Sequence, residues 1–383
     1  MLNTSQILLS KSALKHNLEF IRKTIGPETI LSSVVKGNAY GHGIEQYVPL
    51  AKACGMDHFS VFSANEAYRV HQSLSDSTPI MIMGMIDDDQ MEWVIQNGVS
   101  FFVFEKDRLE SAAKIARKLN RPAKIHIEIE SGMNRTGFST RVLTDILKYI
   151  QKEAKHLIVE GLCTHFAGAE SIANYHRIKK QESIYRRAHK RMLDFGIAPQ
   201  LKHTACSAAT IRYPKTIMDM ARIGILQYGF FPNQETLIHY MTKQKVLEYP
   251  LRRVISWKSK VMNVKTVKRG EFIGYGTSFL ANSDMKVAVI PVGYGHGFSR
   301  LLSNQGIVLI HGQRVSVAGT VNMNMMSVDV TNLDGVQKGD EAVIIGKQGE
   351  LEISVASFSD FSDQVNYELL TRLPGDIPRF IVD

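Results

Sequence analysis

Short apolar runs alternate with helix-length amphipathic segments over residues 11–226, and this alternation constrains the fold more than any other feature of the sequence. The apolar runs are predicted strands, and they cover residues 30–36, 58–63, 79–85, 101–105, 124–130, 158–165, 201–207 and 222–226. The helix-length segments lie near residues 12–24, 43–54, 64–74, 88–97, 107–119, 139–153 and 175–195. Eight strands with intervening helices predict a parallel (β/α)8 barrel of the TIM type, and the count of eight favours it over an open doubly wound sheet.

The pattern changes after about residue 240, where helical spacing gives way to strand-like runs. These runs are separated by Gly, Asn and Asp turns, and they lie at residues 286–292, 307–310, 314–317, 325–330 and 341–345. We therefore predict an α/β barrel over residues 1–240 and a mostly-β domain over residues 241–383. Whether the first ten residues join the β domain is left open.

Composition places the chain among globular proteins with a sizeable core, because 44% of its 383 residues are hydrophobic and 22% are charged. No stretch approaches the roughly 20 apolar residues of a membrane span, and the N-terminus lacks the basic region of a signal peptide. The cysteines are three, without CxxC spacing, at positions 54, 163 and 206. They predict reduced thiols in the cytoplasm and no metal site.

The net charge of +9 raises the question of nucleic-acid binding. Much of the excess lies in residues 176–191, where apolar residues recur at helical spacing, so the bases occupy the polar side of one amphipathic helix. No RNA-binding or zinc-finger motif accompanies this segment. We interpret it as a solvated helix face and expect no nucleic-acid partner; a positive surface also favours small anionic ligands.

Lys36 ends the first predicted strand, in the run Val-Val-Lys-Gly-Asn-Ala-Tyr-Gly-His-Gly of residues 34–43. A flexible Gly/Asn turn follows at once. A lysine at a strand end that faces a loop-built site suits an amine that forms a Schiff base, because partial desolvation lowers its pKa. The alternative is a strand whose last residue is a solvated surface lysine.

Other polar residues follow the predicted ends of further strands, where barrels of this kind carry their chemistry. They are His165, Ser207, Arg222 with the Gly224-Ile225 pair, and Arg135 in the glycine-bracketed loop 130–137. Each alone has an ordinary structural explanation. Together they supply an amine, two guanidinium groups, an imidazole and donors for a phosphate, and this set matches pyridoxal-phosphate chemistry.

At this point the chain resembles the bacterial alanine racemases, pyridoxal-phosphate enzymes of fold type III. The resemblance runs in order along almost the whole chain. Its motifs are residues 35–43, SGMNRTG (131–137), CTHFA (163–167), SAATIR (207–212), ARIGI (221–225), GYGT (274–277), PVGY (291–294), GTVNMN (319–324) and NYEL (366–369). The resemblance implies an isomerase that interconverts L- and D-alanine through a pyridoxal-phosphate aldimine and supplies D-alanine for peptidoglycan.

The resemblance also implies two catalytic bases. Lys36 would form the Schiff base and act on the D-enantiomer, and Tyr275 would act on the L-enantiomer from the β domain of a partner in a homodimer. Two bases on opposite faces are the minimal design for a racemase. A tyrosine with an ordinary pKa near 10 needs a cationic neighbour to lose its proton, and Arg222 or His165 could supply that charge.

The remaining roles implied by the resemblance concern binding. The cofactor phosphate would be held by Tyr40, Ser207, Tyr367 and the backbone of Gly224 and Ile225. Arg222 would bond the pyridine nitrogen and leave it unprotonated, since arginine does not give up its proton; this should discourage transamination. His165 would pack against the ring. The substrate carboxylate would be bound by Arg135 and by the backbone N–H of the partner's Met323.

The chain departs from the family pattern at three places. Glu128 stands where many relatives carry a carbamylated lysine, and both are anionic acceptors that could position Arg135. Asn322 and Asn324 replace a cysteine and an aspartate, and Gly295-His296-Gly297 replaces Ala-Asp-Gly. The last two changes lie near the expected substrate entry and dimer contact and put the substrate preference in question. A bulky Tyr367 favours alanine over larger substrates.

Three other functions stay open from the sequence. A racemase of serine or broad specificity would share the same motifs. A decarboxylase on the same plan would carry a cysteine-containing β-domain motif and a long Gly-rich phosphate loop, which we do not find. A pyridoxal-phosphate carrier protein without turnover would lack the β domain.

Overall fold

The computed structural model describes residues 3–355 and 366–383. The chain divides into two compact units. One unit, called here the barrel unit, comprises Ala13–Lys36 and Val48–Arg252. The other, called the β unit, comprises the residues up to Ser12, Gly37–Tyr47 and Arg253–Asp383.

The strands and helices alternate over the first two thirds of the chain, and strands dominate the rest. The strands are β1 Ser5–Ser10, β2 Ile30–Val34, β3 Phe59–Val61, β4 Ile80–Ile82, β5 Ser100–Val103, β6 Ala123–Glu128, β7 Leu157–Cys163, β8 Leu201–His203, β9 Met220–Ile223, β10 Ile255–Lys260, β11 Asn263–Val267, β12 Met285–Ile290, β13 Ile307–Ile310, β14 Gln313–Ser316, β15 Met326–Asp329, β16 Glu341–Gln348, β17 Leu351–Ile353 and β18 Arg379–Val382. The helices are α1 Lys11–Ile25, α2 Ile44–Ala53, α3 Ala64–Gln72, α4 Asp88–Gln96, α5 Lys106–Leu119, α6 Leu143–Lys152, α7 Tyr175–Asp194, α8 Ser207–Arg212, α9 Gln234–Gln244 and α10 Asn366–Thr371. Among the described residues no helix is long and apolar enough to cross a membrane.

The barrel unit is built on one parallel sheet of eight strands in the order β8-β7-β6-β5-β4-β3-β2-β9. The two end strands meet, because Cys206 and Arg222 form a parallel bridge and the Arg222 N–H donates to the carbonyl of Ala205 at 3.0 Å. The sheet therefore closes on itself. The predicted barrel fold is confirmed, and each predicted strand and helix of residues 11–226 has an observed counterpart.

The basic helix α7 packs one apolar face on the barrel. Its buried residues include Ile178, Tyr185, Ala188 and Met192, at the spacing of one helix face. The cations between them point away from this face, so they lie on the solvated side of an amphipathic helix.

The first barrel strand ends two residues earlier than the sequence predicts. β2 stops at Val34, and a left-handed turn begins after Lys36, with φ of 60° at Gly37, 55° at Asn38, 53° at Ala39 and 51° at Tyr40. Glycine adopts this region without steric cost and asparagine tolerates it, whereas most other residues lose about 1–2 kcal/mol each. The Gly/Asn pair after Lys36 therefore starts a turn that ordinary side chains would oppose.

The β unit contains two sheets, as expected for a mostly-β domain. The larger has the order β14-β13-β16-β10-β1-β18 with β17 paired to β16, and the smaller has the order β11-β12-β15. Strand β1 pairs antiparallel with β10 and parallel with β18, so the first strand of the chain belongs to this unit. The unit has its own core, which includes Trp257, Ile273 and Val287. Helices α8 and α9 of the barrel unit and α10 of the β unit were not predicted.

Candidate active site

The carboxyl ends of the barrel strands bring together the barrel residues that the sequence singled out. Glu128 ends β6 and Arg222 lies in β9, while Lys36, His165 and Ser207 each follow the end of a strand. In a closed parallel barrel these strand ends meet at one face. Arg135 and Arg222 both act electrostatically on Lys36, so the two guanidinium groups and the amine share one site.

Lys36 is open to solvent at this face, yet the surrounding protein lowers the pKa of its ammonium group. Loss of water around the amine is the largest cause, and the positive charges of Arg135 and Arg222 act in the same direction. The carboxylate of Glu66 and the thiol of Cys206 oppose them. A lowered pKa increases the fraction of free amine near neutral pH, which a lysine nucleophile requires.

Arg222 is buried and only 4% exposed, and the protein fixes two of its three guanidinium nitrogens. One terminal nitrogen donates to the ring Nδ1 of His203 and, at 2.9 Å, to the carbonyl of the same residue. The other donates to the carbonyl of Thr164 at 2.9 Å. Its Nε–H finds no partner in the described part of the chain, so this donor is available to a ligand.

Ser207 and the segment after β9 form a group of small donors. The hydroxyl of Ser207, at the start of α8, accepts the Gly224 N–H at 3.0 Å. Within the described ranges, neither the Ser207 hydroxyl hydrogen nor the Ile225 N–H is donated to a protein group. Hydroxyl and backbone donors of this kind are what a phosphate group needs.

Glu128 is buried, 4% exposed, and one of its carboxylate oxygens has no hydrogen-bond partner among the described residues. Burial raises the pKa of this carboxyl group, while a hydrogen bond with Thr136 and the charges of Arg222 and Arg135 oppose the shift. Arg135 itself is exposed, and its guanidinium makes no hydrogen bond or ion pair within the described ranges. The charge of Arg135 thus acts on a buried carboxyl group that has one oxygen without a partner among the described residues.

His165 does not supply a positive charge to this site. Burial lowers its pKa to about 3, and the charges of Arg222, Arg135 and Lys36 act in the same direction. The ring is therefore neutral at physiological pH. Of the two cations expected from the sequence to assist a tyrosine base, this leaves Arg222.

The other predicted site residues belong to the β unit. Tyr275 is 74% exposed and lies between Gly274 and Gly276, whose φ angles are 78° and 70°. Met323 is 57% exposed, and its N–H has no partner in residues 3–355 and 366–383. Tyr40 ends the left-handed turn. The side chain of Tyr367 lies outside the described residues.

The sequence analysis missed three residues that are connected to Arg222 by hydrogen bonds. His203, His126 and Glu160 form a hydrogen-bonded series that ends on Arg222. The available signal was the position of two histidines inside apolar strands, where an unpaired polar side chain is costly. The hydrogen bond between these two histidines could not be predicted, because they lie 77 residues apart in the sequence.

A lysine with a lowered pKa at the mouth of a closed barrel, in a chain that continues into a strand-rich unit, defines a class of two-domain barrel proteins with an amine at the strand ends. Family models agree. The model "Alanine racemase, N-terminal domain" matches residues 9–232 and "Alanine racemase, C-terminal domain" matches residues 254–381. The chain belongs to the alanine racemase family, whose members are pyridoxal-phosphate-dependent isomerases.

Individual relatives agree over the full length. The alanine racemase of Leptospira interrogans serovar copenhageni is 32% identical over 381 residues, which cover 99% of this chain and 96% of that protein. The crystal structure of alanine racemase from a D-cycloserine-producing Streptomyces lavendulae has 26% identity and a TM-score of 0.91, with 100% and 98% coverage. The Bacillus anthracis enzyme, solved with bound L-Ala-P, has 28% identity and a TM-score of 0.91, with 100% and 96% coverage.

Proposed function

We propose that this chain interconverts L-alanine and D-alanine with pyridoxal 5'-phosphate held by the barrel unit. The observation that carries the proposal is Lys36, whose amine follows a barrel strand and has a lowered pKa between two guanidinium groups. The similarity to the alanine racemase of Leptospira interrogans supports alanine as the substrate.

The residues present fit the cofactor. Lys36 offers an amine to its aldehyde, and the free Nε–H of Arg222 offers a donor to its pyridine nitrogen. The Ser207 hydroxyl and the Ile225 N–H suit its phosphate, and we assign Gly224, Tyr40 and Tyr367 to the same group by resemblance. His165 is neutral and can pack against the ring. When bound, the cofactor draws electrons from the amino acid and makes the α-proton acidic.

Two bases then move that proton. Lys36 Nζ, with its lowered pKa, accepts it from the D-enantiomer, and the hydroxyl oxygen of Tyr275 accepts it from the L-enantiomer. Return of a proton by the opposite base inverts the centre. Arg222 stays protonated, so its donor leaves the pyridine nitrogen without a proton and limits transamination.

The substrate carboxylate needs a cation and a donor. The guanidinium of Arg135 is exposed and unpaired within the described ranges, and the Met323 N–H is also unused there. We assign both to the carboxylate. The buried Glu128 provides the negative charge that orients Arg135, in place of the carbamylated lysine of many relatives.

The site is completed by a second copy of the chain, in a homodimer. Tyr275 and Met323 are both largely exposed, and further apolar side chains of the β unit are exposed with them, namely Phe272, Leu280, Tyr294, Leu301 and Met325. Exposed apolar groups of this extent are typical of protein interfaces. We propose that the barrel predicted over residues 1–240, with residues 3–10 belonging to the β unit, binds the cofactor, and that the β domain predicted over residues 241–383 supplies the second base. Reduced cysteines favour the cytoplasm, where D-alanine for peptidoglycan is the expected product.

Incubation of the purified protein with pyridoxal phosphate and L-alanine in D2O tests the proposal. Deuterium at Cα together with loss of optical rotation supports it. Release of CO2 identifies a decarboxylase instead, absence of exchange identifies a carrier, and serine that exchanges as fast as alanine identifies a broad racemase. A Lys36→Ala variant should lose both exchange and the visible absorbance of lysine-bound cofactor, whereas Lys118→Ala on the surface should keep them.

A further inference from the structure

A series of hydrogen bonds crosses the polar interior of the barrel from Arg222 to Glu160. A terminal nitrogen of Arg222 lies against Nδ1 of His203, Nε2 of His203 lies 2.9 Å from Nδ1 of His126, and Nε2 of His126 lies 3.1 Å from a carboxylate oxygen of Glu160. Both imidazole rings are fully buried. No other protein group within the described ranges competes for these ring nitrogens except the Ser100 hydroxyl, 3.2 Å from Nε2 of His126.

Donor and acceptor accounting gives this series a single direction. A guanidinium can only donate, so Nδ1 of His203 must accept and the ring hydrogen of a neutral His203 sits on Nε2. That hydrogen is donated to Nδ1 of His126, which places the hydrogen of His126 on Nε2. Glu160, an acceptor when ionised, receives it. Arg222 therefore sets both tautomers from one end of the series, and the carboxylate of Glu160 supplies the acceptor that this arrangement requires at the other end.

Burial is the main reason that both rings are neutral. Burial lowers the pKa of His203 well below its usual value, and Arg222, His126 and His58 act in the same direction. Burial also lowers the pKa of His126, against the opposing effect of Glu160. The hydrogen bond to His126 and the charge of Lys124, whose nitrogen is 3.8 Å from the carboxylate, help to keep Glu160 ionised by lowering its pKa.

The backbone of β7 is shaped around this contact. The register between β6 and β7 shifts after Ile125, so that His126 pairs with Gly161 and Glu160 is the extra residue of a bulge. Bulges of this kind re-aim a side chain. A Cβ on Gly161 would lie 1.9 Å from Nδ1 of His126. The missing side chain at residue 161 thus leaves room for the ring that joins Glu160 to His203.

We propose that Glu160 is a positioning residue that acts through His126 and His203 to hold the guanidinium of Arg222 in one orientation. Its effect on the reaction rests on the proposed function, in which the free Nε–H of Arg222 meets the cofactor. Its effect on the tautomers of His126 and His203 does not depend on that function. An experiment can therefore contradict the effect on the reaction and the effect on the tautomers independently.

The test compares two variants at the same position. Glu160→Gln retains an oxygen that can accept from His126, whereas Glu160→Leu removes the acceptor at similar size; Glu160→Ala serves if the leucine variant does not fold. Glu92→Leu, which removes a carboxylate paired with Lys118 on the surface, is the matched control. The tautomers of His126 and His203 are read by nitrogen NMR on histidine-labelled protein, with and without pyridoxal phosphate.

We expect hydrogen on Nε2 of both rings in the wild-type protein, in Glu160→Gln and in Glu92→Leu, and a second tautomer in Glu160→Leu. In the loaded enzyme, Glu160→Leu should lower kcat for alanine about tenfold, because a buried donor loses its partner, and leave KM within about twofold. Glu160→Gln should stay close to wild type. Wild-type tautomers and kcat in Glu160→Leu would overturn the proposal, and so would equal losses in the leucine and glutamine variants. If the wild type does not racemise alanine, the NMR result still decides the tautomer assignment.

Discussion

A single nitrogen of Arg222 is bonded to His203 twice, once through the ring Nδ1 and once through the backbone carbonyl at 2.9 Å. The second terminal nitrogen holds the carbonyl of Thr164. This arrangement uses the planar fork of arginine, which lysine cannot reproduce. The orientation of the remaining Nε–H follows from these three contacts.

Arg222→Lys should therefore lower both the stability of the fold and the affinity for the cofactor. One ammonium group leaves at least one buried acceptor unpaired, which costs about 1–3 kcal/mol of unfolding free energy. We expect a lower Tm, and weaker cofactor binding in a fluorescence titration. Arg186→Lys, at a side chain that is 70% exposed, is the control and should match wild type. Equal Tm values for both variants would contradict the assignment.

Glu128→Gln should raise the KM for alanine and weaken cofactor binding, because Arg135 loses the charge that orients it. The variant should nevertheless be more stable than the wild type at a pH where Glu128 is ionised. Burial raises the pKa of Glu128 in the folded chain, so its ionisation destabilises the fold as the pH rises through that value. The free energy of unfolding of the variant should therefore rise relative to that of the wild type as the pH increases above the ordinary glutamate pKa of about 4.3. Unchanged kinetics would remove Glu128 from the site.

Mixed dimers test whether the two bases come from different subunits. Lys36→Ala and Tyr275→Phe should each be inactive alone. If the chains are unfolded together and refolded at equal amounts, half of the dimers are mixed and each has one intact site, so about a quarter of wild-type activity should return. Two copies of one variant give the baseline. No recovery in verified mixed dimers would place both bases in one chain.

The pH dependence of stability should carry the contribution of His58. Burial lowers its pKa from 6.5 to about 3. The unfolded chain therefore binds a proton that the folded chain does not, and stability present above pH 6.5 is lost as the pH falls towards 3. We expect about 1.4 kcal/mol less stability per pH unit from this group in urea titrations. His58→Asn should remove that part of the slope, whereas His156→Asn, at a half-buried histidine that precedes β7, is the control.

Gly161→Ala tests the close approach of β7 to the buried imidazole. The added methyl group would lie 1.9 Å from Nδ1 of His126, so a rigid ring or strand must move. Overpacking of this kind costs about 1–3 kcal/mol and should lower Tm by several degrees. Gly375→Ala, where nothing lies within 4 Å of the added atom, should change stability by less than about 0.5 kcal/mol. Matching Tm values in the two variants would count against the packing described for His126.

The local pattern of apolar and polar residues was enough to predict the barrel. Apolar runs of strand length and helices with one apolar face follow from neighbours in sequence, and eight such pairs have few compact arrangements. The end of β2 was misplaced because backbone conformation at residues 37–40 depends on left-handed φ values that hydropathy does not report. Helix α10 was missed because its six residues are too few to show a period.

The sequence by itself determined the fold class, the lysine at the end of the first barrel strand and the motifs of the family, because each is written in residues close together along the chain. Tertiary structure decided the states of the groups around that lysine. The lowered pKa of Lys36, the neutral ring of His165 and the direction of the bonds from Arg222 to Glu160 all depend on burial and on partners from distant strands. Burial and partners set the energies of charged groups, and neither is visible before the chain has folded.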